Sequence, residues 1–185
     1  MYIYIDETKS HLLKASSKLL DKGFKTKKQT PPEEDWKKNY SLPFTVTLET
    51  KIREFQYKLL NDIIFTNERL FCFKMIESPM CTFCLKKVES LEHLLFYCDT
   101  TKDFWRTFSS WLSNQNVSLD TLTFENILFE VFNNNEDFII LNHLILLGKF
   151  FIYKCKLNTI KPTLTIFLAK TKTVYYIEKK NSYQK

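Results

Sequence analysis

Glycine is almost missing from this chain, at 2 of 185 residues, and proline is scarce at 5. A sheet-rich architecture with many tight turns needs more of both, so the shortage favours helices. It also removes chemistry. Two glycines cannot build a phosphate-cradling loop, and no Gly-x-Ser-x-Gly elbow occurs. Histidine appears only at His11, His93 and His143, and the carboxylates show no spacing that pairs an acid with a base. No Tyr-x-Asp-Asp polymerase signature is present, and Tyr4-Ile5-Asp6-Glu7 does not replace one. Long apolar runs are missing too. The most hydrophobic stretch, residues 138–153, is interrupted by Asn142, His143, Gly148 and Lys149, which makes it short and polar for a membrane span. The MYIYIDETKS start lacks a basic segment followed by an apolar one, so no secretory signal is read. These absences argue against an enzyme, a small-molecule substrate and a membrane partner.

What is present is a metal-ligand pattern. Cys81, Cys84, His93 and Cys98 form the run Cys-x2-Cys-x8-His-x4-Cys. Three thiolates and an imidazole close a tetrahedral zinc site and leave no position for water, so one structural Zn2+ is expected. A redox dithiol needs a strand-helix context that this chain lacks, and catalytic zinc keeps an open position. Ser90 is placed to cap a helix carrying His93. Cys98 lies five residues after His93, too far round an ideal helix to share its face, so it is expected just past that helix's end. The five cysteines are an odd count, which with a metal pattern points to a reducing, intracellular compartment, nucleus or cytoplasm. Cys72 and Cys155 are left over and are read as buried thiols.

With 44% hydrophobic residues, including 17 Phe and 9 Tyr, an aromatic core is available. The expected fold is mainly α: an irregular helical domain with a small Cys-Cys-His-Cys zinc knuckle. Residues 9–21 carry leucines at helical spacing ended by Gly23, followed by a basic linker, Pro31 and Pro32. Glu33, Glu34 and Asp35 suit the first turn of a helix carrying Trp36. Leu48, Ile52, Phe55, Leu59 and Ile63 predict one amphipathic helix from Thr47 to about Phe65. Thr66 caps a short helix with Leu70 and Phe71 pointing inward. Phe104, Trp105, Phe108, Trp111 and Leu112 form an aromatic stripe that suits core packing better than base stacking. Residues 138–153 read as a buried central helix in which His143 is a hydrogen-bonded core residue. Pro162 fits the start of a last helix that includes Leu164, Phe167, Leu168 and Tyr175. NQN and NNN, near residues 114–116 and 133–135, read as loops. The domain reading is 1–40 as a helical extension with basic linker, 41–115 as the zinc-binding helical region, and 116–185 as a C-terminal helical region with a basic tail.

The net charge of +6 is uneven. Counting Lys and Arg against Asp and Glu gives 9 − 6 = +3 for residues 1–40, 9 − 14 = −5 for 41–148, and 9 − 1 = +8 for 149–185. The C-terminal element therefore either follows a phosphate backbone or presents a solvated lysine face. Lys86 and Lys87 in the loop between the ligand pairs, Arg106, and Lys170, Lys172, Lys179 and Lys180 are the candidate contacts to RNA or DNA. Glu89 and Glu92 are expected to offset some of that attraction.

Around the zinc run the sequence resembles the C-terminal zinc-binding region of LINE-type (non-LTR) retrotransposon reverse transcriptases. The resemblance begins near Trp36 and is strongest from Lys51 to Leu112. It rests on KIREFQYKLLNDIIFTNERLF, SPMCTFC, ESLEHLLFYC and DFWRTFSSWL. In that family a helix ending in a Leu-Pro-Thr-Asn-like tetrad precedes the cysteines and a Phe-Trp pair follows the last. Phe65-Thr66-Asn67 and Phe104-Trp105 hold those places here, while Asp62 and Phe65 depart from the basic residue and the proline of relatives. The resemblance implies zinc at Cys81, Cys84, His93 and Cys98, and a part of a larger machine that holds template RNA and target DNA during target-primed reverse transcription. The polymerase and endonuclease modules are not in the sequence. A stand-alone module, a protein-interaction module contacting a reverse-transcriptase core, and a decayed element copy all stay open.

Overall fold

In the computed structural model the described residues are 36–115, 117, 122–129 and 136–182, all within the unit Pro31–Lys185. The expected leucine helix at 9–21, the stop at Gly23, the linker prolines, the acidic turn at 33–35 and the loop at 133–135 lie outside them. The elements are α1 (Trp36–Val46), α2 (Thr50–Leu60), α3 (Asn67–Cys72), a π-helical turn (His93–Tyr97), α4 (Asp99–Ser113), α5 (Phe124–Phe129), α6 (Glu136–Leu157) and α7 (Leu164–Ser182). Among the described residues, β pairing is limited to one antiparallel bridge, Met80 with Val88. The fold is mainly α, as composition implies.

Helix α6 is the axis of the core. Its Leu141, Ile145, Leu146, Phe151 and Ile152 are buried against Ile52, Phe55 and Leu59 of α2, Phe104, Trp105 and Phe108 of α4, and Ile127 of α5. Phe167 of α7 closes the cluster, with its ring 5.6 Å from Phe104 and 5.6 Å from Phe151. The aromatic stripe of α4 is thus core, although Trp111 is only partly buried. No helix among the described residues is long and apolar enough to cross a membrane.

With so few glycines, helix ends use other residues in the left-handed region. Helix α2 stops at Asn61, and Asp62 takes φ 53°. The Ile63 N–H then donates to Lys58 O at 2.8 Å and the Asp62 N–H to Leu59 O at 3.0 Å, a Schellman closure. This closure, with the extended Glu49 at the other end, is why the amphipathic pattern from Thr47 to Phe65 overstates the helix. Leu48 and Ile63 fall outside it and are exposed. Asp62 also pairs with Arg69 of α3 through its carboxylate and its carbonyl oxygen. Lys74 (φ 56°) ends α3 and Thr159 (φ 53°) ends α6 by the same closure. Two further expectations fail on α3. Phe71 is 45% exposed and Cys72 is exposed, because a helix of 6 residues turns only part of its surface inward. Cys155 on α6 is buried as expected, and burial pushes its thiol up.

The glycine that matters here is Gly148. A Cβ at this position would lie 2.8 Å from Trp105 Cη2. The indole cannot retreat freely, since Trp105 is buried and its Nε1–H donates to Leu95 O at 2.7 Å. Gly148→Ala gains up to about 1 kcal/mol of helix propensity but overpacks this contact at about 1–3 kcal/mol. A lower melting temperature by calorimetry is the expected result.

Candidate metal centre

The metal-ligand run folds as two short devices facing each other. The first is a knuckle closed at its base by the Met80–Val88 bridge and by Cys81 N–H donating to Lys87 O at 2.8 Å. Within it the Leu85 N–H donates to Cys81 O at 2.9 Å, and the Phe83 N–H points at Cys81 Sγ, 3.4 Å away. This turns Cys81 and Cys84 toward one point. The second device begins at Ser90, whose hydroxyl accepts from His93 N–H at 3.1 Å, the cap the sequence predicts.

From His93 the chain winds wider than an α-helix. The Cys98 N–H donates to His93 O at 2.8 Å, a step of five residues rather than four. In an α-helix residues five apart sit about 140° round the axis from each other. The extra residue in the π turn returns Cys98 to the side of His93. Cys98 then adopts φ −66° and ψ 136°, leaves the π turn and becomes the N-cap of α4. Its carbonyl accepts from Lys102 N–H at 2.8 Å and from the Thr101 hydroxyl at 3.0 Å.

The four ligand atoms lie within 4.8 Å of one another. Cys81 Sγ and Cys98 Sγ are 3.8 Å apart, and Cys84 Sγ is 3.3 Å from His93 Nε2. A tetrahedron with Zn–S bonds of about 2.3 Å has sulfur–sulfur edges of about 3.8 Å, so the donor set fits zinc in type and in span. All five cysteines are free thiols. Cys81 and Cys98 are fully buried, which leaves the cluster closed to water on that side.

The thiols differ in acidity. Burial pushes Cys81 up to about 12, opposed by the backbone N–H groups of Cys84 and Phe83 and reinforced by the Cys98 sulfur. Burial acts upward on Cys84 as well, but the Lys86 N–H, the His93 ring and the Lys87 N–H outweigh it and hold that thiol near 6. Between pH 8 and pH 6, Cys84 is already substantially thiolate, whereas Cys81 must surrender a proton for each ion bound. Metal affinity therefore falls as pH falls, by at least about tenfold per pH unit. Competition titrations against a chelator at pH 6.5 and pH 7.5 measure this directly.

Glu89 is the residue that sequence reasoning misplaces. It is not a surface charge beside the knuckle, as expected, but fully buried. Its Oε2 accepts from Thr82 N–H at 2.7 Å, inside the Cys81–Cys84 pair, and its Oε1 from Asn67 N–H at 3.0 Å, at the start of α3. The same Oε1 meets Lys156 Nζ of α6 at 3.2 Å, with Lys156 only 5% exposed. One carboxylate thus ties the knuckle, α3 and α6 together. Glu92, by contrast, is exposed, as a surface charge should be. Nothing near Glu89 in the sequence marks it, because its cationic partner lies on the far helix.

The basic C-terminal element is correspondingly less basic at its surface. Lys156 faces Glu89, and Lys149 is buried with its Nζ donating to Ile127 O at 2.8 Å and Leu128 O at 3.3 Å. Those carbonyls end α5, where a cation suits the helix dipole. Of the candidate nucleic-acid contacts, Lys86 and Lys87 are exposed on the knuckle. Arg106 is exposed on α4 and pairs with Asp103 at 2.9 Å. Lys170 and Lys172 are exposed on α7, Lys170 with its Nζ 5.6 Å above the Phe151 ring. The side chains of Lys179 and Lys180, and of Tyr175, lie outside the described residues. The structure joins Cys81, Cys84, His93 and Cys98 in one cluster that could hold a metal ion, and distributes these cations over three elements. His143 is half-buried on α6, apart from the cluster.

A helical module with a closed Cys3His cluster defines a class: a domain stapled by one structural zinc ion. Residues 21–105 match the family described as zinc-binding in reverse transcriptase. The match contains all four cluster residues and ends at Trp105, whose indole holds the π turn. It covers a zinc-binding segment and no catalytic one. No curated protein and no solved structure gives a significant match.

Proposed function

We propose that this chain is a non-catalytic, zinc-stabilised nucleic-acid-binding module of LINE-type reverse-transcriptase origin, with Cys81, Cys84, His93 and Cys98 as the ligands of one zinc ion. In this reading residues 41–115 are the zinc-binding region, 1–40 a helical extension with a basic linker, and 116–185 a C-terminal helical region with the basic tail. Its partners are template RNA or target DNA, together with a reverse-transcriptase core. The observation that carries the reading is the Cys3His cluster lying inside the segment that matches zinc-binding in reverse transcriptase. The exposed Lys86, Lys87, Lys170 and Lys172 support it, since they are available to phosphates. Titration of single-stranded RNA and duplex DNA at two salt concentrations tests it. About four phosphate contacts give a logarithmic salt slope near −2.8 for a single strand, or a loss of about 50-fold between 50 and 200 mM. Equal affinity at both concentrations, or none at the lower, contradicts it.

A second reading, a protein-interaction module, is favoured by one observation. Phe71, Cys72, Lys74, Met75, Ile76 and Glu77 line an open cavity of about 610 Å³, with Phe71 and Met75 exposed. Uptake of a hydrophobic dye and self-association by light scattering support that reading. A monodisperse monomer without dye uptake counts against it.

A further inference from the structure

The tip of the knuckle combines features that metal binding does not require. Leu85 is 73% exposed and sits at φ 55°, in the left-handed region that leucine seldom enters. Metal closure needs that backbone conformation, which glycine adopts freely, but it does not need an apolar side chain projecting into water. Lys86 and Lys87 follow immediately, both exposed. The mount is rigid: the Leu85 N–H is held by Cys81 O at 2.9 Å, Lys87 O by the Cys81 N–H at 2.8 Å, and the N–H groups of Lys86 and Lys87 face Cys84 Sγ. Met80 and Val88, paired across the bridge, add exposed apolar surface at the base of the same loop. Glu89 is buried against Lys156 and so adds no surface charge beside the two lysines, while the exposed Glu92 lies on the following turn rather than at the tip.

We propose that Leu85 is a wedge that packs on the face of an unstacked base in single-stranded nucleic acid, while Lys86 and Lys87 neutralise the adjoining phosphates. The inference rests on the nucleic-acid reading above and names where that reading makes contact. An apolar side chain beside two cations matches one nucleotide, whose apolar base face and anionic phosphate lie within a similar reach. Duplex readout through the major groove needs a helix or a two-stranded ribbon, and the single bridge of the knuckle is neither. An apolar pocket on an acidic protein is the competing occupant, and it appears as an outcome of the test.

The test uses the zinc-loaded full chain and a short RNA strand carrying 2-aminopurine, whose fluorescence rises when the base unstacks. Leu85→Gly relieves the strained backbone, so its zinc content is expected to be unchanged and its melting temperature equal to or above that of the parent. Its RNA affinity is expected to fall about tenfold, with the fluorescence response lost and the salt slope unchanged. Lys86→Gln/Lys87→Gln is expected to reduce the salt slope by about 1.4 and to keep the fluorescence response in the bound state. Full RNA affinity and a full fluorescence response in Leu85→Gly, with the lysine variant still weakened, overturn the wedge and leave the phosphate contact standing. Unchanged RNA binding together with lost self-association in light scattering reassigns the tip to a protein contact and overturns it too. A parent chain that binds no RNA at low salt overturns both the wedge and the nucleic-acid reading.

Discussion

A Cys84→Ala protein is expected to lose its zinc ion and to unfold residues 79–98, with a melting temperature lower by at least about 10 °C. Structural zinc contributes on the order of 10 kcal/mol in small zinc modules, against a net stability of about 5–15 kcal/mol for a whole domain. Besides the metal, the Glu89 carboxylate and the Asn67 side chain are its main polar ties to the helices. Its internal hydrogen bonds are those of a tight knuckle and one π turn, and its single bridge is too short to persist alone. The damage also spreads along the chain, because Cys98 is the N-cap of α4 and Leu95 O is the acceptor for Trp105. The core formed by α2, α4, α5, α6 and α7 buries its own aromatic cluster, so most helicity is expected to remain at low temperature. Circular dichroism and hydrogen exchange over 79–98 distinguish this local melting from global collapse. Near-native exchange and thermal stability in the variant contradict it.

Glu89→Ala is expected to be nearly as disruptive, although Glu89 is no ligand. The change strands the buried Lys156 ammonium and leaves the N–H groups of Thr82 and Asn67 without their acceptor. Removing one partner of a buried pair costs about 3–5 kcal/mol, or about 6–20 °C in melting temperature for a chain of this size. Since Thr82 lies between the first two cysteines, zinc affinity is expected to fall as well. A Glu89→Met/Lys156→Met protein separates charge from architecture. It is expected to recover part of the lost thermal stability, because no charge remains buried, but not the lost zinc affinity, because the Thr82 and Asn67 amides still lack an acceptor. Calorimetry and a chelator competition on the two single variants and the double variant give the coupling. A single Glu89→Ala variant with parental stability rules out the carboxylate as the tie between knuckle and α6.

The features legible in the sequence were those whose physics is local. Ligand types and spacing specify the metal cluster, Ser90 and Thr66 announce their caps, and the apolar steps of α2 and α4 mark buried faces. The five-residue gap from His93 to Cys98 shows that an α-helix cannot serve both, and a π turn meets that demand. The illegible features depend on distant partners. Glu89, Lys149 and Lys156 look like ordinary surface charges until α6 brings Lys156 to Glu89 and Lys149 to the end of α5. Ile63 continues the helical period of α2, but Asp62 in the left-handed region ends the helix and no glycine advertises that stop, while Leu48 precedes the extended Glu49 at the helix start. Phe71 fits an inward face by pattern alone, yet it lies in a helix too short to bury it.

Native mass spectrometry with thiol alkylation, with and without chelator, tests the central claim most directly. The predicted result is one zinc ion per chain with Cys81, Cys84 and Cys98 protected, and exposed Cys72 labelled throughout. Chelation is predicted to remove the ion and open those three thiols together. A metal-free chain that is fully folded, with the same three thiols labelled as readily as Cys72, contradicts the account.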